Sequence, residues 1–431
     1  MNDVIIVGGG LAGLTAATLC ARRGLSAVLL ERAGALGGRA QTTLERGHAH
    51  NLGGHALYRG GAIEAALREL GVPFTGAPPP TGGLLAMARG QLHRFPAGPF
   101  SMLATDLLGF KAKIEAARAF RALVKVDAAA LRDVPWGAWL AEAAPREEVR
   151  HALEAIGRVA TYANAPSRMS AGATIAQIRR AMSPGVLYLD GGWQTLVDGL
   201  EKAARGAGVR IVRDATVSSM VHGEPNDAAP ARHEAVLKSG ERVAGRAVVL
   251  ATGPQTARSL AGPGAAPFSA GLLPSHAACL DVGLASLPRP ERLVVFGLDR
   301  ATYFSVHSAS ARLAERGATI HLMKYLDPEE GGDGAAAAER ELEDLADRVQ
   351  PGWRAVTVTR RFLPNLVSSN ATVLAGARRP AVDAAGVAGV YLAGDWVGET
   401  GMLGDTVMAS ARAAAEAVIG TLGVTDQRAA S

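Results

Sequence analysis

The chain has 431 residues, 48% hydrophobic and 20% charged, with a net charge of +5 and a pI near 9.4. That balance belongs to a globular chain rather than a disordered one, and the length asks for roughly two or three structural units. Two cysteines, Cys20 and Cys279, exclude a disulfide framework or a multi-cysteine metal site, and the spread of Arg and Lys, with no basic stripe interleaved with aromatics, argues against nucleic acid as a partner.

The N-terminus runs straight into a glycine motif without a signal-peptide pattern, and no stretch of about 18 apolar residues follows, so a soluble, cytoplasmic protein is expected. Val4–Val7 reads as a buried strand, Gly8, Gly10 and Gly13 form G-x-G-x-x-G, Leu14–Arg23 has helical apolar spacing ended by Gly24, and Ala27–Leu30 is a second strand ending at Glu31. This is a βαβ unit for a dinucleotide. The first glycine permits the tight turn, the second lets a pyrophosphate approach the backbone, and the third lets helix pack on strand. The Glu31 carboxylate suits ribose hydroxyls and would repel a 2′-phosphate. The unit alone fits FAD or NAD.

Gly37-Gly38-Arg39 follows closely, then "HNLGGHALY", His50 to Tyr58. A second glycine pair suits a cofactor whose flavin end must pass the backbone, and Arg39 can neutralise a pyrophosphate or hold the ribityl region. Gly60 to Met182 is mostly helical by spacing, as in Ala112–Val126 and Val149–Val159. Within it Phe100, Leu103, Leu107, Leu108 and Phe110 precede Lys111, Lys113, Arg118, Arg121 and Lys125. Such a basic amphipathic helix either rests on a bilayer surface or packs on a core with its charged face solvated. "GEPNDAAPAR", Gly223 to Arg232, reads as a hairpin loop. Beyond Pro263 strands such as Leu293–Phe296 and Thr319–Leu326 alternate with a helix near Ala335–Val349, after a loop "DPEEGGDG". In "TYFSVHS" strand alternation puts Tyr303, Ser305 and His307 on one face, either a pocket wall or a solvent face. Val390–Ala393 is a strand, Gly394-Asp395 a turn at the carboxyl edge of the sheet, and a helix runs from Gly404. The polar tail after Gly423 reads as frayed.

Glu31 followed by Gly37-Gly38-Arg39, "YLDGGWQTLVDGL" (Tyr188 to Leu200), "DATVSSM" (Asp214 to Met220), "AVVLATGP" (Ala247 to Pro254) and Leu392-Ala393-Gly394-Asp395 before a Gly-rich helix start stand in one order along the chain. Together they resemble the flavin amine oxidase and phytoene desaturase superfamily. The inserts resemble protoporphyrinogen oxidase in layout, although "TGGLLAMA" lacks the arginine those enzymes place there for a propionate. The resemblance implies an α/β fold: a Rossmann-type FAD-binding domain (1–59, 183–262 and 370–420) with an inserted mixed α+β substrate domain (60–182 and 263–369) and a tail at 421–431.

The cofactor-binding set expected from the turns and the resemblance is Gly8, Gly10, Leu11, Ala12 and Gly13; Glu31 and Arg32; Gly38 and Arg39; Gly53, Gly54 and His55; Val217; Thr252 and Gly253; and Gly394, Asp395, Gly401, Met402 and Leu403. Asp395 would accept a ribityl hydroxyl, and the helix start near Gly401-Met402 would aim its N–H groups at the flavin. His55 and Tyr58 are candidates for chemistry beside the ring, or a bond that fixes the turn. Tyr303 and His307 are substrate-side candidates. Lys324 is comparable to the family's lysine near flavin N5, or an ordinary surface lysine. No cysteine stands at the expected attachment position, so FAD is expected to be noncovalent. The expected reaction is hydride transfer to flavin N5 from a small, largely apolar substrate, which is thereby desaturated, with O2 or a quinone as oxidant. Alternatives are amine oxidation at a C–N bond, a non-redox or isomerase-type flavoprotein, and an NAD-only dehydrogenase.

Overall fold

The computed structural model describes residues 1–80, 82–223, 231–329 and 334–423. In its first sheet Asn2–Val7 lies between Ala27–Leu30 and Arg242–Leu250, all parallel, and Arg210–Val212 and Val390–Leu392 extend the parallel set. Val4–Val7, Ala27–Leu30 and Ala247–Leu250 are continuous apolar runs because both faces are covered there. Val4 and Ile6 pack with Leu14 and Met408 from the helices Leu11–Arg22 and Gly404–Thr421, while Ile5 and Val7 meet Leu260, Phe268 and Trp396. Strands Val217–His222 and His233–Leu237 form the expected antiparallel hairpin, whose loop residues 224–230 lie outside the described residues, as do 330–333 of "DPEEGGDG" and the tail after Gly423. Because the central strands run parallel, their carboxyl ends share one edge. Gly8, Glu31, Ala251 to Gly253, and Gly394-Asp395 all follow strands that end there.

The second sheet runs in the order Thr357–Ser369, Ser275–Leu284, Ala318–Leu326, Thr302–Val306, Val294–Gly297, Leu84–Ala88, Gln91–Arg94. It is antiparallel except between Val294–Gly297 and Leu84–Ala88. Helix Ala335–Val349 covers one face, on Leu280, Phe304, Ile320 and Leu322. The opposite face carries Cys279, Tyr303, Met323 and Tyr325. Helices Phe110–Lys125, Trp136–Ala143, Glu147–Thr161 and Ala171–Met182 build a separate apolar cluster.

The expected α/β architecture forms, with adjustments. Helix Ala62–Glu69 falls in the stretch read as insert, yet Ile63, Ala66 and Leu67 pack into the core around the first helix. The strand through Tyr303 stops at Val306, and His307 begins a 3-10 turn.

Candidate functional site

The three motif glycines serve different purposes. Gly8 has φ +109, and a Cβ there would lie 2.5 Å from the Ala251 carbonyl oxygen; at Gly13 a Cβ would lie 1.9 Å from the Gly8 oxygen. Internal packing dictates both. Gly10 has φ −79, which any residue adopts, and a Cβ there would meet nothing nearer than the Gly37 oxygen at 3.8 Å. The fold itself does not need a glycine at 10; the bare backbone is left for something that approaches from outside. Just beyond it, helix Leu11–Arg22 starts with no side-chain cap and no acid in its first turn. The N–H groups of Leu11, Ala12 and Gly13 and the positive end of the helix dipole therefore face an anion site. A dinucleotide pyrophosphate fits this cradle.

The second glycine pair is built onto the same place. The Gly37 N–H donates to the Gly9 oxygen at 2.9 Å. Glu31 Oε2 accepts from the Gly9 N–H at 2.6 Å and Oε1 from the Ala33 N–H at 2.9 Å, so this carboxylate also fixes the turn, while Arg32 is exposed.

Arg39 and Asp395 meet as a bidentate pair, Nη1 to Oδ2 at 2.9 Å and Nη2 to Oδ1 at 2.7 Å. Asn370 supplies the other two donors, its N–H to Oδ2 at 2.8 Å and its Nδ2 to Oδ1 at 2.9 Å. Burial alone would raise the Asp395 carboxyl, but the charge and hydrogen bonds of Arg39, with those of Asn370, bring it down to about 2. With these four donors its acceptor sites are filled. In this arrangement Asp395 anchors Arg39. Thr252 and Gly253 belong to the same corner. The Thr252 oxygen accepts from Trp396 Nε1 at 2.9 Å, and a Cβ at Gly253 would lie 3.8 Å from Asn370 Oδ1. Val217 stands at a bulge opposite Leu237.

At the far end of the corner, Ser410 Oγ accepts from the Gly394 N–H at 3.0 Å. Arg379 donates to the Gly401 oxygen at 2.8 Å and to Thr406 Oγ1 at 3.0 Å. Met402 is buried, and Leu403, which precedes helix Gly404–Thr421, has φ +55 and ψ −126. A leucine held there is strained by roughly 1–3 kcal/mol, a feature that clusters at ligand clamps.

The turn Gly53-Gly54 joins this corner to the second sheet. A Cβ at Gly53 would lie 2.9 Å from Leu366 Cδ2 and 3.0 Å from Cys279 Sγ; at Gly54 it would lie 3.0 Å from Met323 Sδ and 3.7 Å from His307 Cε1. Cys279 therefore touches the turn, and burial pushes its thiol well above its ordinary value, which keeps it protonated.

His55 places Nδ1 3.1 Å from the Gly53 oxygen and Nε2 3.1 Å from the Arg39 oxygen, and packs edge-on against Trp193. Both ring nitrogens face backbone carbonyls, and burial pushes the imidazole down to about 4. A neutral ring carries one N–H, so His55 donates to one of these two carbonyls and packs between the two glycine segments, which leaves no free base there. Tyr58 is likewise engaged, donating to the Ala160 oxygen at 2.7 Å. His307 is buried and stacks on Tyr188 at 3.7 Å, and the Tyr188 hydroxyl lies 3.4 Å from that of Tyr303. Those two candidates are thus brought together beside the turn. Lys324 is not: it lies on the helix-covered face and pairs with Glu341 at 2.7 Å.

The sequence reading missed Asn370, the tyrosines Tyr162, Tyr188 and Tyr325, and a fully buried pair. Asp281 Oδ1 lies 2.7 Å from His321 Nδ1, and Asp281 Oδ2 accepts from Arg361 at 2.7 Å. Asp281 and His321 each interrupt an apolar strand, and a charged type in such a run signals a buried partner. His321 Nε2 and His307 Nδ1 have no hydrogen-bond partner among the described residues, and the two rings lie 4.4 Å apart.

The profile of the family described as flavin containing amine oxidoreductase matches residues 11–419. Among solved structures, an oxidoreductase from Methanosarcina mazei superposes with a TM-score of 0.75 at 16% identity, covering 96% of this chain and 100% of that one. Putrescine oxidase bound to putrescine gives 0.70 at 17%, covering 97% and 99%. Cyclohexylamine oxidase from Brevibacterium oxydans gives 0.67 at 19%, covering 98% and 99%. At these identities the structural likeness is one of fold.

Proposed function

The chain belongs to the flavin-containing amine oxidoreductase family, an FAD-dependent oxidoreductase, and from that premise we propose that it dehydrogenates a small, largely apolar, uncharged molecule held against the tyrosine-bearing face of the second sheet. Bound FAD would supply the hydride-accepting redox chemistry, and the protein would supply position and electrostatics. Gly10 and the N–H groups of Leu11, Ala12 and Gly13 would hold the pyrophosphate. Arg39, fixed by Asp395, would add positive charge along the cofactor. The Gly401–Leu403 segment and the helix it opens would offset negative charge on the ring. Oxygen or a quinone would be the terminal acceptor.

The observation that carries the substrate reading is the tyrosine wall. Five of the six tyrosines, Tyr58, Tyr162, Tyr188, Tyr303 and Tyr325, interact with one another, Tyr188 stacks on His307, which borders Gly54, and burial first of all raises each hydroxyl, so they stay neutral. The carboxylate on that sheet face, Asp281, is already bonded to His321 and Arg361. An ammonium group brought to a buried wall needs a carboxylate; a neutral apolar molecule does not.

The same wall favours a second reading, oxidation of a C–N bond. Aromatic residues are only 5% of the chain, which argues against an aromatic cage, yet the local density of tyrosine is high, and such faces attract an amine cation. Anaerobic mixing of the FAD-loaded enzyme with neutral alicyclic compounds, monoamines and diamines separates the two by loss of the flavin visible band. Bleaching by neutral compounds is expected. Bleaching by amines alone would move the assignment to the second reading. A flavin reduced by dithionite that neither air nor a quinone reoxidises would overturn both.

A further inference from the structure

Among the described residues, five of the nine exposed large hydrophobic side chains lie between residues 100 and 124. Phe100 is 89% exposed, Leu103 77% and Phe110 79%, and Ile114 and Val124 are exposed as well. Helix Pro99–Ala104 buries none of its residues. Lys113 donates to the Leu103 carbonyl at 2.9 Å, which holds the end of that short helix beside the first turn of helix Phe110–Lys125. The longer helix packs by Ala112, Ala116, Ala119 and Leu123. Its opposite side therefore presents Phe110, Ile114 and Val124 at helical spacing, next to exposed Lys111, Arg118, Arg121 and Lys125. Leu107 and Leu108, read from sequence as part of an apolar patch, are in the core and take no part.

We propose that this side is a membrane-docking surface that rests on an anionic bilayer, with Phe100, Leu103 and Phe110 entering the headgroup region and the lysines and arginines meeting the lipid phosphates. Charge chooses the occupant. A second copy of the chain would bring four exposed cations against four more. The acid on this helix, Glu115, is engaged by Arg146 and neutralises none of them. Among the described residues no helix is long and apolar enough to cross a membrane, so the contact is interfacial. The inference stands apart from the substrate reading, because it concerns lipid binding alone.

The test is co-sedimentation of the FAD-loaded full chain with vesicles of phosphatidylglycerol and phosphatidylcholine, and with phosphatidylcholine alone. Binding to the anionic vesicles that weakens with salt is expected. Phe100→Ser with Phe110→Ser should lower it at least tenfold. Arg121→Gln and Lys125→Gln should each lower it about fivefold, the effect of about 1 kcal/mol per cation at an anionic surface. All four side chains are exposed, so unchanged thermal melting separates lost docking from lost folding. A chain that stays in the supernatant with every vesicle overturns the proposal. So does binding that is indifferent to the Phe substitutions. A dimer in size-exclusion chromatography that Phe110→Ser dissociates would give the surface to a second copy instead.

Discussion

Replacing Gly10 and Gly13 by alanine, one at a time, separates what the motif does for the cofactor from what it does for the fold. At Gly10 the backbone is extended, with φ −79 and ψ −176, and the new methyl would have only the Gly37 oxygen within 4 Å, at 3.8 Å. The apoprotein should be unchanged or more stable by about 0.4–1 kcal/mol, because alanine restricts the unfolded chain. The same methyl would stand where the pyrophosphate approaches. Losing two charge-assisted N–H contacts of about 1.5–3 kcal/mol each weakens FAD binding more than about a hundredfold. At Gly13 the methyl would lie 1.9 Å from the Gly8 carbonyl oxygen, a backbone atom that no rotamer change removes. The cost is overpacking of about 3 kcal/mol or more, paid by the apoprotein. Urea denaturation of the apoproteins and fluorescence titration with FAD read the two effects separately. Native FAD affinity in Gly10→Ala, or equal destabilisation by both substitutions, would refute the reasoning.

Arg39→Met should destabilise the apoprotein by about 2–3 kcal/mol, less than a fully buried pair because Arg39 is 38% exposed, since it leaves the 3%-exposed Asp395 without its cation; an unchanged urea midpoint would contradict the pairing. Stability should fall on acidification below pH 6.5. Burial pushes His50, His55 and His233 down to about 4 from 6.5, so between those values the unfolded chain binds protons that the folded chain does not. At about pH 5.5 each histidine would lower stability by about 1.4 kcal/mol, and the slope should flatten near pH 4. Urea midpoints measured from pH 7.5 to 4 check this, and a flat profile would contradict neutral burial. His55→Ala should lower the flavin-to-protein ratio, because the ring fills the space between Gly53, Arg39 and Trp193 and donates to one of the two carbonyls; full flavin content with lost turnover would restore its role as a base.

The parts of the site made by local chain geometry were legible in the sequence. The first turn, Glu31 and the edge position of Gly394-Asp395 follow from strand runs and glycine spacing, and all lie at one sheet edge. What Asp395 does there was not legible. Its partners Arg39 and Asn370 lie 356 and 25 residues away, and only tertiary folding brings their donors to its four acceptor sites. The tyrosines at 58, 162, 188, 303 and 325 follow no local period, so composition diluted a wall that the fold concentrates. Lys324 turned on a single step of strand alternation: Met323 and Tyr325 face the tyrosines, and Lys324 faces the helix that carries Glu341. The patch at 100–125 divided the same way, because the turn before Phe110 buries Leu107 and Leu108 and leaves Phe100, Leu103 and Phe110 in solvent.

The measurement closest to the central claim is the visible absorption spectrum of the purified protein, taken before and after denaturation and passage through a membrane filter. A flavin spectrum in the native protein, with the whole chromophore in the filtrate afterwards, is the predicted result for FAD held by the glycine turns, Arg39 and the two helix ends. A colourless protein that takes up no added FAD, or a chromophore that stays with the denatured chain, would contradict it.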